Sequence, residues 1–115
     1  MRVKPQSISS KEMSQIRQSL EESSEIEEAA ELYSLAGNTT RLKLLYLLDN
    51  MKELCVCDLA EMLGISVSGV CQHLAKLKAY GLVASRRDAQ SIYYRLTDRA
   101  FNRQLRQDFF KQFQV

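Results

Sequence analysis

Two helical patterns, about Val56–Leu63 and Val67–Tyr80, are separated only by Gly64-Ile65-Ser66, and no other stretch of the 115 residues restricts the fold as tightly. Gly64 supplies the left-handed residue that ends the first pattern. Ser66 is placed to cap the second, its hydroxyl reaching an amide two or three residues on. Two helices joined by so short a glycine-containing turn predict a helix-turn-helix. From Leu82 the pattern changes. Leu82–Arg87 and Ile92–Leu96 are rich in strand formers and flank Asp88-Ala89-Gln90-Ser91, which predicts a two-stranded hairpin with a four-residue loop.

The flanking segments read as helices. Ser9-Ser10-Lys11-Glu12 forms a capping box for a helix reaching about Glu22. A second covers Glu25–Ala36 and ends at Gly37. Thr39 or Thr40 caps a third, to about Asn50, which carries Leu42, Leu44, Leu45, Leu47 and Leu48. So apolar a surface predicts the central buried helix. The last segment, Asp98–Phe113, is capped by Asp98 and sets Phe101, Leu105, Phe109 and Phe113 at steps of four. Such a stripe suits a homodimer seam shared with the first two helices, or packing inside its own protomer. The expected class is α+β and mostly helical: a winged helix-turn-helix with a two-stranded hairpin wing, homodimeric through its N- and C-terminal helices. Residues 1–8 read as a disordered arm and 9–115 as one DNA-binding and dimerisation domain.

Charge is uneven although the net is only +2. Residues 1–37 carry four Lys/Arg against seven Glu, and residues 38–115 carry twelve Lys/Arg against seven Asp/Glu. A basic body fits double-stranded DNA, as well as an ordinary charged surface. Met1–Gln6 has no apolar core and no apolar run approaches the roughly 20 residues of a membrane span, so the expectation is a cytoplasmic protein with no membrane partner.

On the Val67–Tyr80 helix, Val70, Leu74 and Leu77 share an inward face, while Ser68, Gln72 and Lys76 lie opposite and Ser66 stands at the entry. Small polar residues allow close approach to base edges, and glutamine can bond adenine bidentately. Lys76 and Lys78 suit phosphates, or a solvated face. Arg86, Arg87 and Arg95, with Gln90 at the loop, equip the hairpin to lie along a groove or backbone. His73 reads as a packed or phosphate-bonded histidine rather than a metal ligand.

Cys55 and Cys57 stand one residue apart where a helix begins, and Cys71 is the third cysteine. An odd count argues against a disulfide framework. In a reducing compartment, two such close thiols favour a soft metal ion, with buried core cysteine as the alternative. On a regular helix residues i and i+2 diverge by about 200°, so one ion can hold both thiols only where the helix start is bent. That bend would disturb the helix supporting the reading helix, as a switch requires.

Leu35-Ala36-Gly37-Asn38-Thr39-Thr40-Arg41-Leu42-Lys43-Leu44-Leu45, Glu53-Leu54-Cys55-Val56-Cys57-Asp58-Leu59-Ala60 and Ser66-Val67-Ser68-Gly69-Val70-Cys71-Gln72-His73-Leu74 together resemble the ArsR/SmtB family of winged-helix metalloregulatory repressors. Gly81-Leu82-Val83 and Ile92-Tyr93-Tyr94-Arg95-Leu96 extend the resemblance, which spans about residues 30–109. It implies a homodimer on an inverted-repeat operator that leaves DNA when its inducer binds. The Cys-Val-Cys pair is similar to the site of arsenic-, cadmium/lead- and some zinc-responsive members. Residues 1–54 contain no cysteine, unlike cadmium-type arms, and the last helix has neither histidine nor glutamate for a zinc site. Ala60 stands where arsenite-type members often add a third cysteine. Cys55 and Cys57, with Cys71 or an external thiol, then favour As(III)/Sb(III) over Cd(II), Pb(II) or Hg(II). A thiol-redox or reactive-sulfur sensor is the alternative on the same scaffold. No Gly/Arg-rich anion cradle follows Cys55 and the only histidine lies in the reading helix, so a thiol enzyme such as an arsenate reductase is not expected, and no catalytic cofactor is expected either.

Overall fold

The computed structural model describes residues 7–113. Met1–Gln6, most of the expected disordered arm, and the last two residues lie outside the described residues. Two units emerge, residues 1–31 and 32–115, with the boundary inside the second helix.

In the first unit, α1 (Ser10–Glu22) starts where the sequence places it. The Glu12 amide donates to Ser9 Oγ at 3.1 Å and the Ser9 amide to Glu12 Oε1 at 3.3 Å, the reciprocal capping box. No α1 residue is buried, and Met13, Ile16 and Leu20 are all exposed. The second helix, α2 (Ser24–Ala36), is capped by Ser23, whose hydroxyl accepts from the Ile26 amide.

The second unit holds the core. It comprises the end of α2, α3 (Thr39–Met51), β1 (Glu53–Cys55), α4 (Val56–Leu63), α5 (Val67–Ala79), β2 (Val83–Asp88), β3 (Ser91–Leu96) and α6 (Ala100–Leu105). Leu44, Leu45 and Leu48 of α3 are fully buried against Leu59, Val70, Leu74, Leu77 and Leu82, so α3 is the central helix as expected. Each such leucine contributes roughly 1.5–3 kcal/mol on burial. The α3 cap is Asn38 and not a threonine: Asn38 Oδ1 accepts from the Arg41 amide at 3.0 Å. Asparagine reaches the free amide while its own backbone stays extended, which leaves Thr39 to open the helix.

The sheet has three strands in the order β1-β3-β2, all antiparallel. The expected hairpin is present, but β1 is an addition to it. Leu54 faces the core opposite Tyr94, while Glu53 pairs with Arg95 and Cys55 with Tyr93 on the other face. The hairpin loop is also tighter than expected. Asp88 and Ser91 are paired, so only Ala89-Gln90 connects the strands, and Ala89 takes a left-handed φ of 57°.

Both helices of the helix-turn-helix end alike. The Ile65 amide donates back to the Ala60 carbonyl and the Leu82 amide to the Leu77 carbonyl, around Gly64 (φ 67°) and Gly81 (φ 71°). A Cβ on Gly64 would meet nothing within 4 Å, so the cost of Gly64→Ala is one of backbone conformation alone. We expect a loss of about 1 kcal/mol and a melting temperature about 5 °C lower, read by thermal circular dichroism.

At the C-terminus the structure corrects two expectations. Asp98 does not cap α6: the N-cap is Arg99, without a side-chain cap bond, and Asp98 instead accepts from Arg103 at 2.8 Å. Nor does the helix run evenly to Phe113, because a π-helical turn follows at Arg106–Phe110. The extra residue in that turn shifts the four-residue stripe. Phe110 enters the core at 5% exposure, whereas Phe109 and Phe113 remain 42% and 43% exposed. Phe101 and Leu105 are half-buried on their own protomer's core, Phe101 edge-on to Tyr33. Asn102, fully buried, donates through Nδ2 to the carbonyls of Leu82 (2.9 Å) and Thr97 (3.1 Å) and so ties α6 to the turn before β2. Its Oδ1 has no hydrogen-bond partner.

Candidate nucleic-acid interface and thiol pair

α5 presents the two faces that the sequence predicts. Val70, Leu74 and Leu77 are completely buried, and Ser68, Gln72 and Lys76 are exposed on the other side. Ser66 is exposed, and its hydroxyl accepts from the Gly69 amide at 3.0 Å, so it serves as the cap. Lys78 is drawn across to β2, where its Nζ donates to Ser85 Oγ at 2.9 Å. That bond and the turn at Gly81 fix α5 against the hairpin.

Arg87 and Gln90 are exposed at the far end of the hairpin, but Arg86 is engaged elsewhere. Its Nε and Nη2 donate to the two carboxylate oxygens of Glu53 at 2.9 and 2.7 Å, and its guanidinium lies 4.8 Å over the Tyr93 ring. β1 and β2 are not neighbours, so this pair spans the middle strand. Hydrogen bonds from Arg86, reinforced by the charges of Arg86 and Arg95, hold the Glu53 carboxyl below its ordinary pKa. The link was hidden in the sequence because it depends on β1 having joined the sheet.

The thiols lie at that same edge. Cys55 is the last residue of β1 and the N-cap of α4, with extended backbone (φ −79°, ψ 158°), and Cys57 is the second residue of α4. The divergence expected of two helical residues therefore does not apply to this pair, since only one of them is helical. Cys55 is half-buried, Cys57 and Cys71 are exposed, and all three are free thiols. Cys71 sits on α5, and the structure does not gather it with the other two. Among the described residues no group of three or more His, Cys, Asp or Glu is placed to hold a metal ion.

His73 is half-buried on α5 beside Arg41 of α3, whose Nη1 lies 3.3 Å from His73 Nδ1. Burial first, and then the charges of Arg41 and Lys76, hold the imidazole below the ordinary histidine pKa. The role of Arg41 was missed in the sequence. The available clue is that its helical neighbours at three and four residues on either side (Gly37, Asn38, Leu44 and Leu45) include no carboxylate.

The C-terminal aromatics border a groove of about 410 Å³, lined by Leu42, Tyr46, Leu47, Met62, Phe109 and Phe113 among others. Phe109 and Phe113 stack with ring centroids 5.4 Å apart.

A helix-turn-helix packed by one face on the core, an exposed polar face on its second helix and a hairpin fixed to that helix define a winged helix-turn-helix fold of the kind regulators use. Comparison with known proteins agrees. A family described as bacterial regulatory protein, arsR family, matches residues 38–85. The arsenical resistance operon repressor of Escherichia coli (strain K12) is 37% identical over 67 residues, 58% of this chain and 57% of that protein. The transcriptional repressor SmtB homolog of Synechocystis sp. is 37% identical over 89 residues, covering 75% of this chain and 67% of that protein. The crystal structure of NolR from Sinorhizobium fredii matches with a TM-score of 0.65 at 32% identity, over 94% of this chain and 96% of that one. The chain thus aligns with little more than half the length of the first of these relatives. It belongs to the ArsR family of bacterial regulatory proteins, a family of transcriptional regulators and not of enzymes. Among the described residues no helix is long and apolar enough to cross a membrane.

Proposed function

We propose that this chain is a homodimeric repressor that binds an inverted-repeat DNA operator and leaves it when As(III) or Sb(III) is captured by Cys55 and Cys57. The observation that carries the sensing half is the position of the pair, at the joint between β1 and the helix that supports α5. Two free thiols of the right softness fit two of the three sulfurs that such an ion takes. The third comes from Cys71 by movement of α5, or from a small thiol in solution. The name of the Escherichia coli relative supports an arsenical inducer.

Ser68 and Gln72 read bases from the exposed face of α5, with Ser66 positioned at its entry. Lys76, Arg87 and Gln90 meet the backbone or the adjoining groove. A second copy covers the exposed Phe109 and Phe113 and the apolar face of α1, as a two-fold dimer requires. Its two reading helices then meet half-sites about 34 Å apart, or a multiple.

Titration of a fully reduced protein–operator complex with arsenite, cadmium and a mild oxidant tests the reading. Arsenite is expected to release the DNA at near-stoichiometric levels and cadmium only at higher ones. Release by the oxidant alone would replace metalloid sensing with thiol-redox sensing.

A further inference from the structure

Arg41 is held in place by the chain's own backbone. Its Nε donates to the Leu35 carbonyl at 2.7 Å, across the α2–α3 turn, and this aims its remaining nitrogens toward α5. One of them, Nη1, lies 3.3 Å from His73 Nδ1. A guanidinium has only donors. The ring nitrogen facing it must therefore be the acceptor, so His73 is neutral and carries its proton on Nε2. Lys76 lies one helical turn further along α5 and is exposed.

Neither Arg41 nor Lys76 has a carboxylate within ion-pairing distance among the described residues, although Arg86, Arg103 and Arg106 all do. Arg41 from α3 and Lys76 from α5 itself are the charges felt by the ring. The elements packed on α5 also carry Lys43 and Asp49 (α3), Asp58 and Glu61 (α4) and Arg86, Arg87 and Asp88 (β2), but the charges that shift the ring are those of Arg41 and Lys76. The cluster thus holds two cations and a third group kept neutral by them, with no anion to balance it. It stands on α5, the helix proposed to enter the groove.

We propose that Arg41, His73 and Lys76 form one site for a phosphodiester of the DNA backbone, and that filling it is coupled to uptake of a proton by His73. The inference rests on the DNA-binding reading above. In the free protein Nδ1 accepts from Arg41. When a phosphate arrives, a proton from solvent occupies Nδ1 and the ring becomes a cation with two donors. The Arg41 Nη1 hydrogen loses its acceptor on the ring and turns to a phosphate oxygen. Protein, duplex and one proton thus give the complex. Phosphate supplies the negative charge that makes the doubly protonated ring favourable there.

The sign follows. The free ring titrates below the ordinary histidine value and the bound ring above it, so the complex binds more protons than the free protein between those two values. DNA affinity therefore rises as pH falls through that window. One unit of difference between free and bound pKa corresponds to a tenfold change in affinity.

His73 is the only histidine in the chain, so its ring resonances in an NMR titration need no assignment. The experiment follows them in the full-length protein, free and with a mixed-sequence duplex of about 30 base pairs. In parallel, duplex affinity is measured from pH 5.5 to 8 at constant ionic strength for the native protein and His73→Gln. Glutamine keeps an acceptor for Arg41 but does not titrate. The expected result is a ring pKa raised by at least about one unit in the complex. Native affinity should be about tenfold stronger at the acid end, with a flat profile for His73→Gln. Duplex binding with an unmoved or lowered ring pKa overturns this proposal and leaves the DNA-binding reading standing. Equal pH slopes in the two proteins do the same. Absence of duplex binding at any pH overturns both.

Discussion

A Cys55→Ser, Cys57→Ser double variant is expected to bind its operator as the native protein does and to stay bound at arsenite levels that empty the native complex. Serine is nearly isosteric with cysteine, and neither position contributes to the fully buried core. The fold and the exposed face of α5 should be unchanged. What is lost is the pair of free thiols at the β1–α4 joint. Cys55 occupies one row of the sheet with Tyr93 and Arg86, so a metalloid that pulls on its sulfur also loads the middle strand. An ion gains leverage on DNA affinity only through a difference in its binding to two arrangements of this edge. A shift of 10²-fold in operator affinity corresponds to about 2.7 kcal/mol of coupling, a modest part of what a metalloid–thiolate set supplies. Fluorescence anisotropy of a labelled operator, with and without arsenite, reads both quantities. Unchanged release in the double variant would remove these cysteines from the mechanism. A Cys71→Ser variant, compared by arsenic X-ray absorption, then tells whether sulfur coordination drops from three to two.

The second large effect expected is on stability. Asn102→Asp should lower unfolding free energy by about 4 kcal/mol at neutral pH, close to the 3–5 kcal/mol typical of an uncompensated buried charge. Asn102 is 2% exposed, and its Nδ2 is donor to the Leu82 and Thr97 carbonyls. A carboxylate there has no donor to offer and turns its charge on two carbonyl oxygens. Most small domains have only 5–15 kcal/mol in total, so a considerable part of the stability would go. Asn102→Ala should cost less, because the Leu82 carbonyl keeps its bond from the Thr97 amide at 3.1 Å and no charge is buried. Urea titrations of the three proteins give the order. Near-equal midpoints for the aspartate variant and the native protein would mean that α6 is not anchored here.

Much of the fold was legible because it depends on neighbours in the chain. The bounds of α4, the reversal at Gly64, the cap at Ser66 and the inward row Val70, Leu74 and Leu77 all follow from spacing within one or two turns. The features that escaped depend on partners far away. Three residues between two helices do not read as a strand, and β1 exists because β3, some forty residues later, offers an edge. The pairing of Arg86 with Glu53 needs that strand first, so the hairpin arginine expected to face DNA is also tied across the sheet to β1. The π-helical turn has no local signature in Arg106–Phe110. It brings Phe110 onto Tyr46 and lets Arg106 reach Asp49 at 2.6 Å, contacts that only the assembled core provides. The thiol pair was visible at once, yet its geometry was not, because Cys55 lies on the strand side of the junction. The meeting of Arg41 with His73 was equally beyond reach, since it joins two helices through space.

The bond between Lys78 and Ser85, together with the backbone reversal at Gly81, has a consequence for how any regulatory message is delivered. Helix and hairpin are tied to each other by a side-chain bond and a backbone turn, as one jaw. A perturbation at its root that displaces one is expected to carry the other with it. In the dimer proposed above, what it would alter is the bearing of the whole jaw relative to its twin across a dyad, so the output expected of such an architecture is a mismatch of span, with each grip left intact.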